Sequence, residues 1–183
     1  MRIKVDHRVV TTARPAKGST AGSTRGRYGD PVSETTLRPA VPADLPVIFR
    51  AERDYIKAIE PDQEGQWTAA IDRNLDLWIA NLDRTTMLLA GSDIAGFVIW
   101  TPTPAYRDDA ATLITIQVLP AYRRRGYGRI LLGVFAEQAV AAGCQLLHLG
   151  VHKDNPARAL YEQAGYQPAG SDGDYLSYDA DAV

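Results

Sequence analysis

The stretch that decides the fold reads Gln117-Val118-Leu119-Pro120-Ala121-Tyr122-Arg123-Arg124-Arg125-Gly126-Tyr127-Gly128-Arg129. It joins two segments of different period. Upstream, residues 110–119 (AATLITIQVL) are rich in β-branched side chains and mostly apolar on both faces, the pattern of a central strand. Downstream, residues 129–142 set Ile130, Leu131, Val134, Phe135 and Ala139 along one side of a helix, with Gly143 where a C-terminal cap belongs. A strand therefore enters a helix through a turn of three arginines and two glycines. Glycine lets successive N–H groups converge with no Cβ in the way. The helix start adds unpaired N–H donors and a partial positive charge. The junction reads as an anion cradle, and a pyrophosphate is its natural guest. The arginines add attraction at the rim. It is not a Walker A loop, which needs a lysine that this turn lacks. Nor is it a dinucleotide fingerprint, because the third glycine position holds Leu131.

Outward from that junction the chain alternates. Residues 145–152 read as a strand and 155–164 as a short helix closed by Gly165. Residues 166–169 and 175–178 flank Ser171-Asp172-Gly173 as a closing hairpin. On the N-terminal side, residues 87–90 and 94–101 flank Gly91-Ser92-Asp93 as an antiparallel hairpin. Before it come a strand at 35–40, a helix opened by Pro42 and Asp44 that runs to Ile59, and a helix over 66–82. Trp67 and Trp78 fall on the apolar face of the latter and read as core. The order β-αα-βββ-α-β-α-ββ gives an α/β fold with a mixed sheet. The strands of the 110s and 140s are joined by a helical crossover, so they are expected to lie parallel.

Composition narrows the function. The chain has 183 residues, 45% apolar, with a formal net charge of −2, which fits one domain plus a short extra segment. A single cysteine, Cys144, excludes a disulfide framework and a cysteine-based zinc site, and three histidines leave little for another metal. No segment approaches a membrane span or a secretory signal, so the expected setting is the cytoplasm. The near-zero charge is uneven. Residues 1–33 carry seven basic side chains against two acidic, and residues 34–183 carry thirteen against twenty. Residues 18–29 are Gly-, Ser- and Thr-rich, so 1–33 reads as a flexible basic arm with one candidate strand at 3–12, and 34–183 as the domain. The folded part being acidic, no nucleic acid is expected as a partner.

Residues 118–132 resemble the acetyl-CoA signature of the GCN5-related N-acetyltransferase (GNAT) superfamily, V-x-P-x-x-[RQ]-x-x-G-x-[GA]. Val118, Pro120, Arg123, Gly126 and Gly128 occupy its fixed positions. Residues 155–166, with Asn155, Tyr161, Gly165 and Tyr166, resemble the family's second element in outline. The resemblance covers about residues 35–180. It implies a GNAT-like fold and an N-acetyltransferase that uses acetyl-CoA and no metal. It implies that the backbone around Ile116 and Val118 pairs with the pantetheine arm as an added strand. The N–H groups from Arg124 to Arg129, through Arg125, Gly126, Tyr127 and Gly128, then hold the pyrophosphate with Arg123 at the rim. Asn155 reaches the pantetheine or caps the short helix.

An amine attacking a thioester needs an oxyanion donor, an acid for the sulfur and a base. The Val118 N–H suits the first role. Tyr161 is the family-matched acid. Many relatives carry a glutamate on the central strand, and residues 113–117 (LITIQ) have no carboxylate. A water chain through Thr115 or Gln117, a carboxylate from Glu60, Asp62 and Glu64, or His148 or His152 remain as substitutes. The same three carboxylates suit a cationic acceptor, a small-molecule or peptide amine. A homodimer is left open. The alternative to an enzyme is an inactive acetyl-CoA-binding module on the same fold.

Overall fold

In the computed structural model, residues 35–103 and 105–182 are described. The basic arm at 1–33 and its candidate strand lie outside them.

The hairpin expected around Gly91 is β2 (Thr85–Ala90) and β3 (Asp93–Pro102), joined where Ala90 pairs with Asp93 and Gly91 takes φ 66°. That positive φ is the reason the turn holds a glycine. β1 (Thr35–Pro39) pairs with β2 on the outer side, and β4 (Ala110–Val118) pairs with β3 on the inner side. α4 (Tyr127–Ala141) then returns the chain to β5 (Leu146–His152), which lies parallel to β4 as expected. β6 (Gln167–Asp172) and β7 (Tyr175–Asp181) close one seven-stranded mixed sheet in the order β1-β2-β3-β4-β5-β7-β6.

Helices cover both faces. α1 (Leu45–Ile59), α2 (Glu64–Ala69) and α3 (Ile71–Ala80) bury Ile48, Ile56, Trp67 and Trp78 against Met87, Phe97, Ile99 and Ile114. α4 and α5 (Arg158–Gln163) bury Leu131, Phe135 and Tyr161 against Val98, Leu113, Ile116 and Leu149. Both tryptophans are core, at 2% and 3% exposure.

Three expectations are corrected. The helix at 66–82 is two helices, because the Ala70 N–H is shared between the carbonyls of Gln66 and Trp67 in a tightened last turn. The helix at 155–164 begins only at Arg158. Asn155 is therefore not its N-cap. Its Oδ1 instead accepts the Ala157 N–H at 2.8 Å and shapes the turn ahead of the helix. The closing turn falls at Gly173-Asp174, since Asp172 pairs with Tyr175 and Gly173 supplies φ 59°.

Candidate functional site

β4 and β5 run side by side only from Ala110↔Leu146 to Leu113↔Leu149. Beyond that, both continue, β4 to Val118 and β5 to His152, without a common ladder. The divergence starts at a bulge. Ile99 pairs with Thr115 but Trp100 pairs with Leu113, so Ile114 is one residue too many. A bulge bends its strand and raises the local twist, which carries β4 away from β5. Leu119 N–H donates to Ala95 O of β3 at 2.9 Å. By the two-residue alternation of a strand, Ile116 and Val118 turn their N–H and C=O groups the other way, into the opening. Gly96 of β3 is required here, because a Cβ would stand 2.5 Å from Gln117 O.

At the C-terminal end of β4 lies the turn of arginines. Gly126 takes φ 82° and Arg124 takes φ 64°. A left-handed arginine is a strained choice of about 1–2 kcal/mol, and alternating helical and left-handed residues point neighbouring N–H groups to one side. Arg124, Arg125, Gly126 and Arg129 are exposed. Arg123 folds back so that its Nε donates to Val118 O at 3.0 Å, and Arg125 lies over the Tyr122 ring at 5.6 Å. The Tyr127 side chain is buried in the core. Gly128 answers to packing. A Cβ there would meet Leu160 Cδ2 of α5 at 3.1 Å, whereas nothing lies within 4 Å of a Cβ at Gly126.

Tyr161 projects from α5 into the core, 0% exposed, and its hydroxyl has no hydrogen-bond partner. Burial, with Tyr166 and Tyr55 nearby, holds it well above the usual tyrosine range, so it stays protonated. Asn155 is buried, and its Nδ2 donates to the Tyr55 hydroxyl of α1 at 3.4 Å.

The substitutes for a strand carboxylate separate. Thr115 and Gln117 both donate to Oε1 of Glu52, at 2.7 and 3.0 Å. Glu52 was not singled out from sequence, yet it carried a signal. It sits four residues from Ile48 and from Ile56, a charge in the buried stripe of α1. Glu60 is 4% exposed and accepts the Tyr175 hydroxyl on Oε2. Asp62 and Glu64 turn outward, and Glu64 pairs with Lys57 at 3.3 Å. His148 stands in the paired part of β5, opposite Thr112 and 2.7 Å from Asp179. His152, at the open end of β5, lies edge-on to Tyr175 at 5.5 Å. Among the described residues no group of three metal-ligating side chains is gathered, and no helix is long and apolar enough to cross a membrane.

Comparison with known proteins gives a consistent picture. The family model described as the acetyltransferase (GNAT) family matches residues 49–166. A [ribosomal protein bS18]-alanine N-acetyltransferase from Haemophilus influenzae is 39% identical over 79 residues, 43% of this chain and 51% of that protein. One of the same description from Salmonella typhimurium is 42% identical over 62 residues, 33% of this chain and 42% of that protein. The chain thus spans about half the length of these relatives, or less. Among solved structures, a PaiA N-acetyltransferase from Thermoplasma acidophilum in complex with coenzyme A superposes with a TM-score of 0.67. It is 17% identical, over 80% of this chain and 98% of that one, and so shares the fold.

Proposed function

Because the chain belongs to the acetyltransferase (GNAT) family, we propose that it is an acetyl-CoA-dependent N-acetyltransferase that moves the acetyl group to a primary amine by direct attack on the thioester. The observation that carries this reading is the opening between β4 and β5, with outward-turned strand backbone on one side and a left-handed N–H cradle at its end. The residues present fit acetyl-CoA. Ile116 and Val118 offer unladdered backbone to an amide-bearing arm, and the turn from Arg124 to Arg129 offers N–H groups and guanidinium charge to a pyrophosphate. Acetyl-CoA supplies the activated acyl group and a thiolate leaving group.

The chain's own groups then have distinct tasks. The Val118 N–H donates to the carbonyl oxygen as it gains charge. Tyr161, kept protonated at neutral pH by burial, donates its hydroxyl proton to the departing sulfur, and the proton shed by the attacking amine, carried by solvent water, restores the hydroxyl. Arg123 holds the end of β4 through Val118 O. Asn155 ties the turn after β5 to Tyr55 of α1. The two relatives named for acetylating an alanine of a ribosomal protein support a peptide amine as acceptor. A cytoplasmic setting accompanies the reading, supported by the single, buried cysteine.

A second reading, an acetyl-CoA-binding module without catalysis, draws on the lack of a carboxylate in β4. The deciding experiment measures CoA thiol release from acetyl-CoA across peptides, polyamines, aminoglycosides and amino acids, with Tyr161→Phe alongside. Release with at least one amine supports the enzyme. Binding of acetyl-CoA without release over the whole panel supports the module.

A further inference from the structure

Glu60 stands at the C-cap of α1, where the helix dipole is negative and cations are favoured. Its carboxylate is 96% buried (4% exposed), yet no cation accompanies it among the described residues. Two hydroxyls meet it. The Tyr175 hydroxyl donates to Oε2, and the Tyr55 hydroxyl faces the same carboxylate. Oε1 is buried with no hydrogen-bond partner. A buried carboxylate oxygen without a donor is costly, and nature leaves few of them unexplained. Tyr55 and Tyr175 are both half-buried, and both touch the site described above, Tyr55 through Asn155 and Tyr175 through His152.

We propose that Glu60 Oε1, flanked by the hydroxyl oxygens of Tyr55 and Tyr175, is a binding site for an unhindered primary ammonium, the amino end of the acceptor. A primary ammonium has N–H donors to offer, and Glu60 Oε1 is a buried acceptor with no donor. A quaternary ammonium carries the same charge and no donor. The site therefore discriminates by hydrogen bonding as well as by charge. Asp62 and Glu64, which face solvent, have no part in it. This inference rests on the acetyltransferase reading only for calling the ligand an acceptor. The binding itself is testable apart from catalysis.

The probes are three peptides of one sequence, with a free N-terminal alanine, an acetylated one and a trimethylated one. Calorimetry measures each against the full chain, and CoA separately. The free amine is expected to bind at least about tenfold tighter than both blocked peptides. Glu60→Gln is expected to erase that difference, Glu60→Asp to keep part of it, and CoA affinity to stay within twofold in both. A Glu60→Gln protein that binds CoA normally and still prefers the free amine overturns the site. So does a wild-type protein that binds all three peptides alike. A wild-type protein that prefers the free amine through Glu60 but binds no CoA keeps the ammonium site and overturns the acetyltransferase reading.

Discussion

Thr115 donates its hydroxyl to Glu52 Oε1 at 2.7 Å, tying the bulged half of β4 to the middle of α1. Gln117 adds a second donor at 3.0 Å. Both side chains are buried, and both belong to the segment whose intervening residue, Ile116, turns its backbone to the opening. Glu52 thus acts as a positioning residue for the free edge of β4.

Replacing Glu52 by alanine removes the buried acceptor that Thr115 and Gln117 share. The expected cost is about 1–3 kcal/mol of stability, since a buried donor that loses an acceptor loses desolvation compensation. CoA affinity should fall as well, because the free edge loses its tie. Denaturant unfolding and calorimetry read the two effects. Unchanged stability and CoA affinity in Glu52→Ala would show that the contact positions nothing.

The two glycines of the cradle are kept for different reasons, and a double-mutant cycle separates them. Gly126→Ala meets open space but must adopt φ 82°, at about 1 kcal/mol. Gly128→Ala has an ordinary helical backbone but presses on Leu160 Cδ2 at 3.1 Å. Its packing penalty of about 1–3 kcal/mol opposes a helix-propensity gain of about 1 kcal/mol. In a Leu160→Ala background, Gly128→Ala is expected to become stabilising, while Gly126→Ala keeps its full cost. Equal behaviour of the two substitutions in both backgrounds would overturn the assignment.

The same pair shows what the sequence could reveal. Strand–turn–helix order, the parallel β4–β5 pair and the buried tryptophans were legible, because period, β-branching and capping glycines are local signals. The reason for Gly128 was not, because Leu160 lies thirty-two residues away on another helix. The bulge at Ile114 was hidden for a related reason. A strand apolar on both faces gives no alternation to break. Glu60, Asp62 and Glu64 looked alike as a charge cluster, and only the turn after α1 sends Glu60 inward and the others out.

At the sheet edge, Arg38 grips Asp44 with two hydrogen bonds of 2.7 Å, and the Val41 N–H adds a third at 2.9 Å. The Arg38 guanidinium holds the Asp44 carboxyl below the usual carboxylate range. A lowered folded value means stability that is present above the unfolded value of about 3.9 and is lost as pH falls through the folded one. Arg38 is about a third exposed, so solvent screening limits the ion pair, and Asp44→Asn should cost about 1–2 kcal/mol at pH 7. The gap between variant and wild type should close as pH drops below about 3.9. A gap that persists undiminished at the lowest pH at which both proteins fold would place the loss elsewhere than in the charge.

Tyr161 and Tyr166 offer a matched pair. Their rings meet edge to face at 5.9 Å, and both hydroxyls are buried without a partner. Deleting an unpartnered buried hydroxyl relieves a desolvation cost, so Tyr161→Phe and Tyr166→Phe should each be neutral or stabilising. Activity should divide them. If Tyr161 is the proton donor to sulfur, Tyr161→Phe lowers kcat by about 10²–10⁴-fold with CoA affinity intact, while Tyr166→Phe leaves kcat within a few-fold. The pH profile supplies a further check. Burial raises the Tyr161 hydroxyl above the ordinary value of 10.0, so its protonated form persists upward in pH. The wild-type kcat should therefore show no Tyr161-dependent decline below about pH 10. A descending limb near pH 8 that vanished in Tyr161→Phe would mean that the hydroxyl ionises too early, and the buried-donor assignment would fall with it.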